Sequence, residues 1–161
     1  MLKKLKKRKI KKLPSIKSLQ NKAEKLWKEV CFLAQGRGCS VKRSYPEYGL
    51  KHDNVLQVDH CFSRNNKFLF LEPANGTVVC EVCNWHKSHC QFGVEKLIDQ
   101  IVLRREGYNK FHDMLRVAVT GGPNKNWSKR WWLIEKIAEL TSMKVELLNK
   151  PKESGEINKW A

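Results

Sequence analysis

Apolar residues recur at helical spacing in four stretches, and the segment between the first and second breaks that period. Leu19, Ala23, Leu26, Trp27, Val30 and Ala34 form one face of a helix that Ser18 can cap and that runs to about Gln35, where Gly36-Arg37-Gly38 stops it. Val94, Leu97, Ile98, Ile101 and Val102 predict a second helix over 94–105, closed by Gly107. Phe111, Met114, Leu115 and Ala118 point inward from a third over 108–119. Ser128 can cap a last helix through about Leu148, carrying Trp131, Trp132, Ile134, Ile137, Ala138 and Leu140. Trp131 and Trp132 are adjacent and cannot both face one core.

The intervening segment reads differently. Ser40 to Asn54 is a polar loop with Tyr45-Pro46 and Gly49 as turn signals. Val55 to Val58 reads as a short strand that delivers Asp59 and His60 at its end. Residues 61–74 form a loop whose Phe68, Phe70 and Leu71 fold back on the core. Asn75-Gly76 predicts a hairpin-type turn, and Thr77 to Cys80 a second strand. Asn84 then opens a helix that passes Lys87. The expected class is α+β: a strand–loop–strand–helix unit among several helices.

Charge adds a partner to this picture. The 161 residues hold 32 Lys and Arg against 16 Asp and Glu, a formal net charge of +16. Such an excess favours a polyanion, nucleic acid before an acidic membrane surface. Nine of the basic residues lie in positions 1–17, with no acid among them. Like charges disfavour a free helix there despite Leu2, Leu5, Ile10 and Leu13, and Pro14 ends any that forms. The reading is a disordered basic arm, with Lys6, Lys7, Arg8 and Lys9 meeting phosphates; a solubilising tail is the blander account. The chain divides into this arm (1–17), a central domain (18–119), a C-terminal helix (120–148) and a polar tail (149–161).

No stretch reaches the ~18 apolar residues of a membrane span, and no apolar run follows the basic start as in a signal peptide. The expected location is therefore the cytoplasm, where six cysteines read as metal ligands or buried thiols before disulfides. Cys80-x-x-Cys83 is half of a zinc site. Cys61 and Cys90 read as packing residues. His86 and His89 are weak ligand candidates, and His52 and His112 stand in no motif.

The chemistry concentrates between Val58 and His89. Phosphodiester hydrolysis needs a base to activate water and a cation to neutralise developing charge. Asp59 offers a carboxylate and His60 an imidazole, and an Asn in a turn can fix an imidazole's tautomer. The order Asp-His, Asn fifteen positions after the His, and a further Asn nine later resembles the His-Asn-His (HNH) endonucleases, the ββα-metal nucleases. The wording DHCFSRNNKFLF…NGTVVCEVCNWHKSH is similar to phage-type members and to the NinG/Rap recombination nucleases.

The resemblance is firm over about 55–105, looser over 19–54, and absent from 1–17 and 120–161. It implies a small ββα-metal core. His60 would be general base, Asp59 and Asn84 would hold Mg²⁺ or Mn²⁺, and Asn75 would orient His60. Arg64 and Lys87 would touch phosphate. The partner implied is DNA, branched recombination intermediates included, in a host cytoplasm if the chain is phage-encoded. Zinc-bearing relatives keep a second Cys-x-x-Cys after the first helix. Cys39 takes its first position, but Lys42 stands at the second, so a Cys31/Cys39/Cys80/Cys83 zinc site is the expectation, with metal-free thiols as the alternative.

The rival functions are a non-catalytic nucleic-acid-binding module on the same scaffold and a basic structural protein of an RNA or DNA particle. A homodimer is open, with Trp131-Trp132 as its candidate surface.

Overall fold

The computed structural model describes residues 13–121 and 127–150. Lys6, Lys7, Arg8 and Lys9, and nearly all of the polar tail, lie outside the described residues. The class is mixed helix and sheet, with a small two-stranded antiparallel sheet at its centre. In chain order the elements are α1 (Ile16–Gln35), α2 (Ser40–Ser44), β1 (Leu56–His60), β2 (Gly76–Cys80), α3 (Glu81–Ser88), α4 (Val94–Glu106), α5 (Tyr108–Thr120) and α6 (Arg130–Asn149). Short 3₁₀ turns occupy Pro46–Tyr48 and Pro73–Asn75.

Four boundaries differ from the sequence reading. Ser15, not Ser18, caps α1: its Oγ accepts from the Ser18 amide at 3.1 Å. Lys129, not Ser128, precedes α6. α3 begins at Glu81, directly off Cys80, so the Cys-x-x-Cys is the first turn of a helix and not a separate knuckle. Asn75-Gly76 is no hairpin turn. Asn75 ends a 3₁₀ turn and Gly76 begins β2 in extended geometry, so the strands are joined by the whole of 61–75.

Register pairs Leu56 with Cys80, Val58 with Val78, Asp59 with Thr77 and His60 with Gly76. Strand alternation sends neighbours to opposite faces. Val58 and Val78 join Leu19, Ala23, Trp27, Val30 and Leu71 in a core built with Leu133, Ile137 and Leu140 of α6. Val79, Cys80 and Cys83 join Val41, Val94, Ile98, Val102 and Met114 in the core on the α4 and α5 side. The sheet is thus a partition between two apolar layers.

α1 and α6 run side by side in the same direction. Arg130 at the start of α6 donates to the Pro14 carbonyl, and Lys144 near its end pairs with Glu29 at 2.8 Å. Lys136, itself buried, meets Glu72 at 2.6 Å and ties α6 to the loop between the strands. The tryptophan pair divides as adjacency requires: Trp132 packs edge-on against Trp127, while Trp131 is exposed.

Candidate functional site

Two groups of side chains converge near α3, one on sulfur and one on oxygen and imidazole. The sulfur group is Cys39, His52, Cys80 and Cys83, whose ligand atoms all lie within 4.8 Å of one another. The Cys39 and Cys83 sulfurs are 3.7 Å apart, and His52 Nδ1 is 3.5 Å from Cys80 Sγ and 3.4 Å from Cys83 Sγ. A tetrahedral zinc with ordinary Zn–S and Zn–N bonds places its sulfurs about 3.8 Å apart and sulfur and nitrogen about 3.6 Å apart. The residues therefore fit such an ion, and this Cys₃His cluster can hold one.

One of the thiols is poised to lose the proton that zinc would displace. The Cys39 thiol is pulled down to about 4, first by its hydrogen bond with Cys83, against the opposing effect of burial. The Cys83 thiol is pushed up by the same contact.

His52 reaches the cluster because its loop is buttoned to the start of α3. Asp53 Oδ1 accepts from the Val55 and Glu81 amides at 3.1 and 3.2 Å, and the Glu81 amide also donates to Val55 O at 2.9 Å. The one hint in the sequence was Asp53-Asn54 after the histidine, a side-chain-driven turn just ahead of a strand.

Cys31 is a correction. It belongs to the core on the opposite side of the sheet, where its Sγ faces Pro73 O at 3.8 Å and burial pushes the thiol up to about 12. It is too far round α1 to join sulfurs on the α4 side. Cys61 is buried as expected, with its Sγ 3.2 Å from Asp99 Oδ1. Cys90 is exposed, so it is not a packing residue.

The second group stands at the end of β1. His60 is buried against two aromatic rings: its centroid is 4.4 Å from Trp27 and 4.8 Å from Phe70, both nearly parallel to it. Its Nε2 is 2.9 Å from Phe70 O, which can only accept, so Nε2 carries the proton and Nδ1 keeps its lone pair. Nδ1 is buried with no hydrogen-bond partner among the described residues. Burial holds the imidazole down to about 4; the Phe70 carbonyl opposes this, while the charge of Arg64 adds to it.

Asp59 points to the other face. Its Oδ2 is 2.6 Å from the Lys87 ammonium, which also donates to the His60 carbonyl. Both side chains are mostly buried. Lys87, expected on phosphate, is instead a fixed cation between α3 and β1. Asn84 is half-buried on the same helix, and its side chain has no hydrogen-bond partner among the described residues. Arg64 is exposed in the loop after β1.

Asn75 is fully buried but does not touch the imidazole, which corrects its expected role. Its Oδ1 accepts from the Phe62 amide at 2.7 Å, and its Nδ2 donates to Leu69 O at 3.1 Å and Phe62 O at 3.3 Å. It clamps both ends of the loop that carries Phe70, and so acts on His60 through the Phe70 carbonyl. Arg105 supports the same corner by donating to Ala74 O at 2.6 Å.

Trp27 and Phe70 were legible only as apolar residues; their hold on His60 depends on the crossing of α1 over β1. Close approach there requires Gly76: a Cβ at that position would stand 2.6 Å from Cys31 Sγ and 2.8 Å from Trp27 Cζ2.

Comparison with known proteins yields no match to a family model, to a curated protein or to a solved structure. Among the described residues no helix is long and apolar enough to cross a membrane.

Proposed function

We propose that this chain is a metal-dependent DNA endonuclease built on an HNH-like ββα centre, with the Cys₃His cluster as a structural zinc site beside it. One observation supports the reading: at the end of β1 the Lys87 ammonium of α3 bridges the Asp59 carboxylate and the His60 carbonyl, and the imidazole is held as the tautomer with a free Nδ1 lone pair.

His60 is neutral at physiological pH, and its free Nδ1 would take a proton from water once the site loosens and the burial that holds its pKa low is relieved. Asn75 and the Phe70 carbonyl hold its orientation. Asp59 and Asn84 would hold a hard cation of the Mg²⁺ or Mn²⁺ kind. One carboxylate and one amide oxygen suit an ion that keeps several waters and takes phosphate oxygens as further ligands. When bound, it would supply charge stabilisation at the scissile phosphate and the leaving oxygen.

The Lys87 ammonium competes with a cation for Asp59, since it already holds Oδ2 and repels a second positive charge on the same carboxylate. A lysine released by such a cation would be free for phosphate. Nδ1 is covered in this conformation, so water reaches it only when the site loosens. The excess basic charge and Arg64 favour DNA as the partner. Branched recombination intermediates are the substrate class that the NinG/Rap resemblance implies.

Plasmid nicking with Mg²⁺ or Mn²⁺ tests the proposal. Wild type should cut, and His60→Ala should lose at least 100-fold in rate, on the order of a lost general base. Failure of both to cut, with DNA binding intact, would overturn it. That outcome would favour the binding-module reading, which the Lys87–Asp59 pair and the covered Nδ1 support in their own right.

A further inference from the structure

Four rings occupy eight consecutive positions at the end of α3 and just beyond: Trp85, His86, His89 and Phe92. They touch in sequence. His89 stacks on Trp85 at 4.3 Å, His86 meets Trp85 edge-on at 5.1 Å, and Phe92 meets His86 edge-on at 4.8 Å. Yet the two largest are open to solvent: Trp85 is 49% and Phe92 61% exposed.

The cluster is held rather than loose. His89 Nδ1 donates to Trp85 O at 2.8 Å, His86 Nδ1 lies 3.2 Å from Gln91 Oε1, and the Gln91 amide donates to His86 O at 2.8 Å. Tyr48 fixes the far end by donating to the Phe92 carbonyl. Cys90 and Phe92 both adopt φ of 52°, a left-handed conformation that side chains other than glycine rarely take. These two strained residues lie in the turn after α3, where Phe92 stands outside the core. Strain of this kind persists where the surroundings over-determine it, and it gathers at functional sites.

The surroundings of the rings say what they suit. No acidic residue lies between Val82 and Val94, while Lys87 sits in the same helix and the chain as a whole carries +16. Exposed rings on a rigid frame in an acid-free segment of a strongly basic chain match a polyanion with flat faces of its own. Duplex DNA presents phosphates and groove edges, but its base faces are covered by their neighbours. Only an unpaired nucleotide offers a face to Trp85 or Phe92. We infer that the Trp85–Phe92 ring cluster is a stacking platform for unpaired nucleobases, placed on the outward side of the helix whose inward side holds Lys87 against Asp59. The inference rests on the reading that the chain acts on nucleic acid, but not on its cutting.

Anisotropy of labelled twelve-nucleotide oligo-dT and of a twelve-base-pair duplex, with Ca²⁺ in place of Mg²⁺, tests this on the full chain. Trp85→Ala should raise the single-strand Kd about 10-fold, the size of one lost base stack, and leave the duplex Kd within a factor of two. Trp85→Tyr should keep most of the single-strand affinity, and Phe92→Ala should weaken it in the same direction as Trp85→Ala. Unchanged single-strand affinity in both alanine variants would overturn the inference and leave the rings as a surface for another protein. So would equal weakening on both probes. His60→Ala separates the two readings: it should abolish cleavage and leave single-strand binding as in wild type.

Discussion

The imidazole of His60 lies on the indole of Trp27, ring centres 4.4 Å apart and planes 13° from parallel. The indole is itself anchored, its Nε1 donating to Glu72 O at 2.9 Å. A histidine so covered loses water more easily than it finds a counter-charge, and its pKa is lowered to about 4. The folded chain then binds fewer protons than the unfolded chain between that value and the ordinary histidine range. Stability on this account is fully present above about pH 6.5 and is lost as pH falls towards 4, by about 3 kcal/mol in all. His60→Phe, which fills the same slot without a titratable group, should flatten that part of the profile. Denaturant unfolding of both proteins at pH 7, 5.5 and 4.5 gives the comparison. Metal-ligand protonation is common to both and cancels, so equal losses would rule out His60 as the cause.

Asn75 makes three hydrogen bonds to the loop between the strands from a fully buried position. Asn75→Ala should cost about 3 kcal/mol, the sum of lost bonds and stranded backbone groups. Asn75→Asp should be about as damaging, because a carboxylate cannot donate to the Leu69 and Phe62 carbonyls. Chemical denaturation measures both. An aspartate variant as stable as wild type would mean that the donor side of the clamp is idle.

The Lys87–Asp59 pair sets a competition. Lys87→Met should destabilise the metal-free chain by about 2 kcal/mol, since it strands a mostly buried carboxylate. It should also open that carboxylate to a cation. Thermal melts with and without Mn²⁺ should therefore show a larger upward shift in Lys87→Met than in wild type. Identical shifts would mean that Asp59 does not take the ion.

The sulfur cluster predicts one zinc per purified chain. His52→Ala should lose that zinc at a chelator concentration that wild type resists, while His52→Cys should keep it. Cys31→Ser should keep it as well and still lower the melting temperature, because it introduces a hydroxyl into a fully buried apolar site. Elemental analysis after dialysis against a chelator distinguishes the ligands. Loss of zinc from Cys31→Ser would return that residue to the site.

Much of this molecule was readable along the chain. The apolar faces of α1 and α4 follow the helical period, and the two strands lie close to where the β-branched runs put them; on α6, by contrast, Leu133 and Lys136 are buried and Ile134 is exposed. Asp59, His60 and Asn84 were singled out by type and order; Asp59 and His60 fall at the end of β1 and Asn84 within α3. Cys80 and Cys83 declared themselves by spacing, because a three-residue step within one helical turn brings two sulfurs together whatever the rest of the fold does. Periodicity and spacing are local, and a sequence specifies them within a few residues.

Contacts across long separations were decided by the tertiary structure. His52 reaches the sulfurs because Asp53 pins its loop to α3, whereas Cys31, nearer in sequence to Cys39, faces the other side of the sheet. Lys87 was assigned to phosphate and sits on Asp59. Asn75 was assigned to the imidazole and holds the backbone that holds it. In each case the partner depended on how layers stack and which face of a two-stranded sheet a neighbour covers. That geometry comes from burial of apolar surface over the whole chain, a property that no short motif contains.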